Sequence, residues 1–156
     1  MPENTGPDAA AKSAAAQGLS KLLADSYAVY LKTHGYHWNV RGPAFASLHA
    51  LFMEQYTEMW TAIDEVAERI RALGELAPQG YAAFGNLSSI KDGDPTNNAQ
   101  DMLRDLIQSH ETLVATAYGI LPAVQDAGDE VTASLISDRL TAHEKHAWML
   151  KASLDG

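Results

Sequence analysis

The chain has 156 residues, 46% hydrophobic and 20% charged, and no cysteine. That length suits one domain with its own core, and the lack of thiols excludes disulfides and thiolate metal sites, leaving histidine and carboxylate as the metal ligands on offer. Eleven basic against twenty acidic residues give a formal charge of −9, which argues against a broad nucleic-acid surface and favours cations, although an acidic balance also simply keeps a protein soluble.

Residues 1–17, rich in Ala, Pro, Asn, Gly and Ser, read as a flexible tail, with the folded domain over 18–156. A first helix is expected from about Leu19 to Val40, where Leu19, Leu22, Leu23, Tyr27, Tyr30 and Leu31 recur at helical spacing. Gly42-Pro43 marks a turn. A second helix then runs without interruption from Pro43 to Leu73, with Phe45, Leu48, Phe52, Tyr56, Met59, Ile63, Val66 and Ile70 as its stripe and Gly74 as its stop. Residues 75–95 collect Gly and Pro and form a long connection, within which Tyr81 to Ile90 can carry a short helix. Asp94-Pro95-Thr96 offers a start for a third long helix to about Val124, with Pro122 bending or ending its last turn. Gly128-Asp129 opens the fourth, which continues to about Ser153. No strand-like alternation appears, so the expected fold is all-α, a four-helix bundle with a long crossover carrying a short helix. No run is long and apolar enough for a membrane span, and the first residues lack a basic and then apolar secretory pattern. A cytoplasmic protein is expected.

Four residues stand out: His37 and His49 flank the first turn, and Asp64 and Glu68 lie further along the second helix. Asp64 and Glu68 are i,i+4 and share a face. They fall about 60° and 100° round from His49, beside the largely apolar face of Met53, Tyr56 and Trp60. Each residue alone also fits a plainer account, a hydrogen-bonded core histidine or a solvated acidic pair. Fifteen residues separate His49 from Asp64, about 22 Å along a helix axis. Metal–ligand bonds are only about 2 Å long, so the two pairs cannot meet at one ion within a chain. They can meet between chains if two copies of this helix pack antiparallel across a two-fold axis.

The run His34-Gly-Tyr-His37-Trp38-Asn39-Val40-Arg41-Gly42-Pro43, with Phe45, Leu48, His49, Phe52, Gln55-Tyr56, Asp64 and Ala67-Glu68-Arg69-Ile70-Arg71-Ala72-Leu73-Gly74, strongly resembles the Dps family of mini-ferritins. Gly128-Asp129-Glu130 and His143-Glu144-Lys145-His146-Ala147-Trp148-Met149-Leu150 extend the resemblance over residues 19–153. It implies a hollow dodecamer of ferritin-like bundles that oxidises Fe(II), with peroxide or O2 as oxidant, and stores ferric iron. His37 and His49 of one subunit, with Asp64 and Glu68 of its two-fold partner, would be the ferroxidase ligands, and Trp38 and Trp148 match aromatics near that centre. Asp126, Asp129 and Glu130 lie where relatives line a three-fold iron pore, although acids at a helix start also suit the helix dipole. Ser134 stands where some relatives have an acid.

Two departures from the family pattern matter. Four residues after His49, where many relatives carry Asp or Glu, this chain has Met53, so a di-iron centre with one weaker position is expected. The lysine-rich tail of DNA-binding relatives is missing: the first twenty residues hold only Lys12 against Glu3 and Asp8. A nucleoid DNA-compacting role is the alternative, and DNA binding is not expected. An oxidase of organic substrates would call for paired Glu-x-x-His motifs within the bundle, and two matched motifs are absent. His34, His110, His143 and His146 are assigned only surface or packing positions.

Overall fold

The computed structural model describes residues 6–155. Helix α1 spans Ala9–Asn39, α2 Phe45–Ala72, α3 Tyr81–Leu87, α4 Ala99–Asp126 and α5 Glu130–Ala152, with no strand among the described residues. The short turns between α1 and α2 and between α4 and α5 make two antiparallel hairpins, and α1 packs on α4 to join them. The crossover lies across the bundle with α3 against α1. Two buried clusters fill the interior, one around Leu19, Leu22, Met59, Ile70, Leu113 and Ile136, the other around Phe52, Met102, Leu103, Leu106 and Leu150. The expected stripe of α2 is the buried one, with Leu48, Phe52, Met59, Ile63, Val66 and Ile70 inside.

The expected tail needs correction. Helix α1 begins at Ala9, ten residues ahead of Leu19, capped by the Asp8 carboxylate, which accepts from the Ala11 N–H at 2.9 Å. The alanine-rich composition that reads as loose is also the strongest helix former. Ala15 and Ala16 are buried in the core, and a Cβ on Gly18 would sit 2.8 Å from Ile120 Cγ2, so small residues here are packing residues. Residues 1–5 lie outside the described residues. Two smaller differences have local causes. Asp94 folds back on Thr96, accepting from its N–H at 2.9 Å, and Asn98 rather than Asp94 caps α4, accepting from the Asp101 N–H at 2.9 Å. Pro122 does not end α4, which continues to Asp126. The one backbone donor it removes would have served Tyr118, and both residues are exposed, so water can take that carbonyl.

Buried polar contacts hold the crossover in place. Asp25, fully buried on α1, accepts from Ser88 Oγ at 2.9 Å, Ser89 N at 2.8 Å and Thr116 Oγ1 at 2.7 Å. One helical step short of the α1 terminus, the Tyr36 hydroxyl donates to Asp105 and accepts from Asp94 N and Asn97 Nδ2, both at 3.2 Å. Lys32 reaches the same Asp105 at 3.1 Å. Gly93 lies so close that a Cβ would be 2.7 Å from the Tyr36 ring, which makes glycine a steric requirement there. Burial and the hydrogen bond to Asp105 push the Tyr36 hydroxyl up to about 12, so it stays protonated as this donor.

Candidate metal centre

The turn between α1 and α2 brings His37, in the last turn of one helix, against His49, the fifth residue of the next. Their rings stack with centres 3.7 Å apart and planes within 12°. The contact is reciprocal: His37 Nδ1 bonds the His49 carbonyl at 2.6 Å, and His49 Nδ1 bonds the His37 carbonyl at 2.7 Å. A carbonyl can only accept, so both Nδ1 atoms carry the proton, and the lone pair of each ring sits on Nε2. The His37 carbonyl is available because it lies in the final turn of α1, where intrahelical donors run out. Such backbone hydrogen bonds fix both tautomer and ring orientation in metal-ligating histidines.

Aromatic rings wall this pair. Phe45 stacks on His49 at 5.0 Å, Tyr56 meets His37 edge-on at 5.3 Å, and His34 lies between Trp38 at 4.2 Å and Tyr56 at 4.5 Å. Trp38 is 63% exposed, its outer side uncovered. Burial, reinforced by the neighbouring His37, lowers the His34 pKa. Trp148 is exposed on α5 and makes no ring contact with this group among the described residues.

Asp64 and Glu68 share an exposed face of α2, in a groove also lined by Tyr27, Trp60, Pro78 and Phe84. The Glu68 pKa is raised by its hydrogen bond to Asp64 and by the charges of Asp64 and Glu65. Carboxylates crowded in this way gain from a shared cation. Helix α2 is continuous from Phe45 to Ala72, so along its axis Asp64 lies about 22 Å and Glu68 about 28 Å from His49. The structure therefore joins His37 with His49 and Asp64 with Glu68, and it keeps the two pairs apart within the chain. Among the described residues, no three metal-ligating side chains of one chain are arranged to hold an ion.

Of the three acids near the start of α5, Asp126 and Glu130 are exposed. Asp129 is buried, caps α5 through the Thr132 N–H at 3.1 Å and pairs with Arg69 at 3.0 Å. Both contacts use Oδ1; Oδ2 is buried without a hydrogen-bond partner among the described residues.

Sequence reasoning missed a polar network inside the bundle. His110 and His143 are fully buried, His146 nearly so, and Arg139 is 5% exposed. Arg139 binds both oxygens of Glu58, Nη1 at 2.5 Å and Nη2 at 3.0 Å, and Nη2 also reaches His143 Nε2 at 3.0 Å. His143 Nδ1 meets His110 Nδ1 at 3.0 Å, and His146 Nε2 meets Glu58 at 2.9 Å. Burial opposes ionisation of Glu58, but hydrogen bonds from His146 and Arg139 outweigh it and hold its pKa at about 2. Burial, then the charges of His146 and Arg139, lower His110 to about 3. His143 is pushed well below its ordinary value by burial, then by His110 and Arg139. The signal was present in the sequence as two i,i+3 pairs, Gln55/Glu58 and His143/His146, on facing helices.

Comparison with known proteins points one way. The ferritin-like domain family matches residues 16–156. DNA protection during starvation protein 2 of Bacillus anthracis is 36% identical over 88% of this chain and 94% of its own length. The crystal structure of the Dps protein from Vibrio cholerae, described as a member of a broad superfamily of ferritin-like diiron-carboxylate proteins, is 34% identical with a TM-score of 0.90, covering 97% of this chain and 96% of that one. Antigen TpF1 from Treponema pallidum is 32% identical with a TM-score of 0.91, covering 100% and 99%.

Proposed function

Because the chain belongs to the Dps family of ferritin-like proteins, we propose that it oxidises Fe(II) at centres shared between two subunits and stores the ferric product in a hollow oligomer, a dodecamer built from two-fold dimers. One observation carries the reading. The reciprocal hydrogen bonds of His37 and His49 leave two oriented Nε2 lone pairs, and the complementary carboxylates Asp64 and Glu68 lie about 22 and 28 Å from His49 along one continuous helix. Two copies of α2 packed antiparallel bring each histidine pair to a carboxylate pair and create two equivalent centres. Imidazole and carboxylate ligands with an open position suit Fe(II) as substrate, because peroxide or O2 needs room to reach it. In each centre the histidines orient the ion, and the acid pair offsets its charge.

The large apolar side chains left uncovered near both half-sites support a second copy as the cover. Trp38, Phe45, Met53 and Trp60 are all at least 42% exposed, and exposed apolar surface of this kind marks interaction sites. Met53, at the i+4 position from His49, supplies neither charge nor oxygen, so the second iron position of the centre is the weaker one. The acidic balance of −9 gives no support to the DNA-binding alternative. The test is anaerobic Fe(II) loading followed by peroxide, read as ferric absorbance. The reading requires rapid oxidation in the native protein and its loss in the His37→Ala plus Asp64→Ala double variant; equal rates in the two would refute it.

A further inference from the structure

In ferritin-like di-iron proteins the bundle core itself holds the metals, through i,i+3 pairs on two helices and single ligands from the others. The corresponding interior here is built on a related plan: α2 offers Gln55 and Glu58, α5 offers His143 and His146, and α4 adds His110. The three imidazole centres lie 5.2, 5.4 and 5.9 Å apart. With metal–nitrogen bonds of about 2 Å, three imidazoles on one tetrahedral ion have ring centres roughly 5 Å apart. The ring centres are thus spaced as in a nitrogen-rich divalent-metal site, although among the described residues no three donors are aimed at one ion.

As they stand, these residues do not fit a metal, and the hydrogen bonds show why. A guanidinium only donates, so His143 Nε2 must accept from Arg139. The His143 proton is then on Nδ1, which donates to His110 Nδ1. The remaining His110 Nε2–H is buried and has no partner among the described residues. The Glu58 carboxylate accepts, so His146 Nε2 carries its proton too. Both Glu58 oxygens are engaged by Arg139. The Glu58 carboxylate and the His143 Nε2 lone pair are therefore held directly by one guanidinium, and the His110 Nδ1 lone pair is held through His143.

We infer that Arg139 is an internal cation that closes a latent divalent-metal site formed by Glu58, His110, His143 and His146, and so keeps metal out of the subunit interior. Arg139 sits one turn ahead of His143 on α5, which brings its guanidinium across the cluster to Glu58. Removing it uncovers the Glu58 carboxylate and releases His143 Nε2. His143 can then change tautomer, and the imidazole lone pairs become free to turn towards a divalent ion.

The test uses Co(II) as the probe in a His37→Ala plus His49→Ala background, so the outcome does not depend on the proposed ferroxidase centre. In that background the protein with native Arg139 takes up no tetrahedral Co(II). Adding Arg139→Met produces the intense visible spectrum of tetrahedral Co(II), in an amount stoichiometric with the chain, displaced by Zn(II) and lost on further His143→Leu. Adding Arg139→Lys, which keeps a cation, produces none of it. Should Arg139→Met leave the chain unfolded, Co(II) or Zn(II) restores its helical circular dichroism, because binding to a site present only in the fold stabilises the fold. Two results would overturn the inference: an Arg139→Met protein that neither binds Co(II) nor is refolded by it, or a protein with native Arg139 whose tetrahedral Co(II) signal depends on His143.

Discussion

Reassembling His37→Ala chains with Asp64→Ala chains separates a shared centre from one confined to a single chain. Each variant alone forms dimers in which both centres lack a ligand, and each is expected to be inactive. In a mixed dimer the two centres differ. One combines the substituted histidine of the first chain with the substituted aspartate of the second and is doubly defective. The other combines an intact His37 with an intact Asp64 and is complete. Random pairing makes about half of the dimers mixed, and half of their centres are whole, so about a quarter of the native peroxide-driven rate returns. The structural basis is the distance of about 22 Å between the pairs on uninterrupted α2, which no side chain spans. The assay is ferric absorbance after anaerobic Fe(II) loading, with mass spectrometry or tagged subunits to show that mixed oligomers formed. Mixed oligomers with no more activity than either parent would refute the shared centre.

Ala16→Asp tests the early start of α1: Ala16 is 2% exposed, so the charge should lower the denaturation midpoint by an amount corresponding to at least about 2 kcal/mol, whereas a loose tail would tolerate it. Tyr36→Phe strands Asp105, Asp94 N and Asn97 Nδ2 together, and a loss of about 1–3 kcal/mol is expected in urea unfolding. Stability should fall as the solution is acidified below about pH 6.5. His110 and His143 are neutral in the fold but protonate readily once unfolded, so acid favours the unfolded chain. Glu58 adds a second loss between its ordinary 4.5 and its folded value of about 2. A denaturation midpoint that does not change from pH 7 to pH 5 would contradict the neutral buried pair. Met53→Asp restores an acid four residues after His49 and should raise the Fe(II) bound per chain in anaerobic calorimetry, with an unchanged stoichiometry counting against the weak second position.

The four-helix plan was legible because its signals are periodic. The stripe on α2, the glycine stop at Gly74 with its positive φ of 97° and the Asp129 cap can all be read along one dimension. The His37/His49 and Asp64/Glu68 pairs were legible for the same reason, since helix geometry alone fixes their spacing. The start of α1 was not, because Ala-rich sequence serves equally as tail and as tightly packed helix, and Ile120 and Val124, which decide the matter, lie on α4, about a hundred residues on. The buried network was hidden more deeply. Glu58, His110 and His143 belong to three helices, and only their packing reveals that Arg139 supplies the positive charge they surround. Asp129 shows the same limit: its position suggests a channel lining, and only the packing reveals that Arg69 and Thr132 also engage its Oδ1.

On the proposed function, these placements couple iron chemistry to assembly. A lone subunit presents two imidazoles in one place and two crowded acids in another, and each set is half of a ligand shell. Fe(II) gains the full shell only where two copies of α2 meet, so its oxidation is confined to assembled protein, in which the product can be enclosed. A metal-competent cluster inside the bundle would break that coupling, because a lone subunit could then bind and oxidise iron with nothing to enclose the product. Arg139 removes that route at its source. It engages both oxygens of Glu58 and the one imidazole lone pair that His143 would offer, and it cannot be deprotonated at physiological pH. On that proposal, the interface centre and the closed interior act together to confine oxidation to assembled protein.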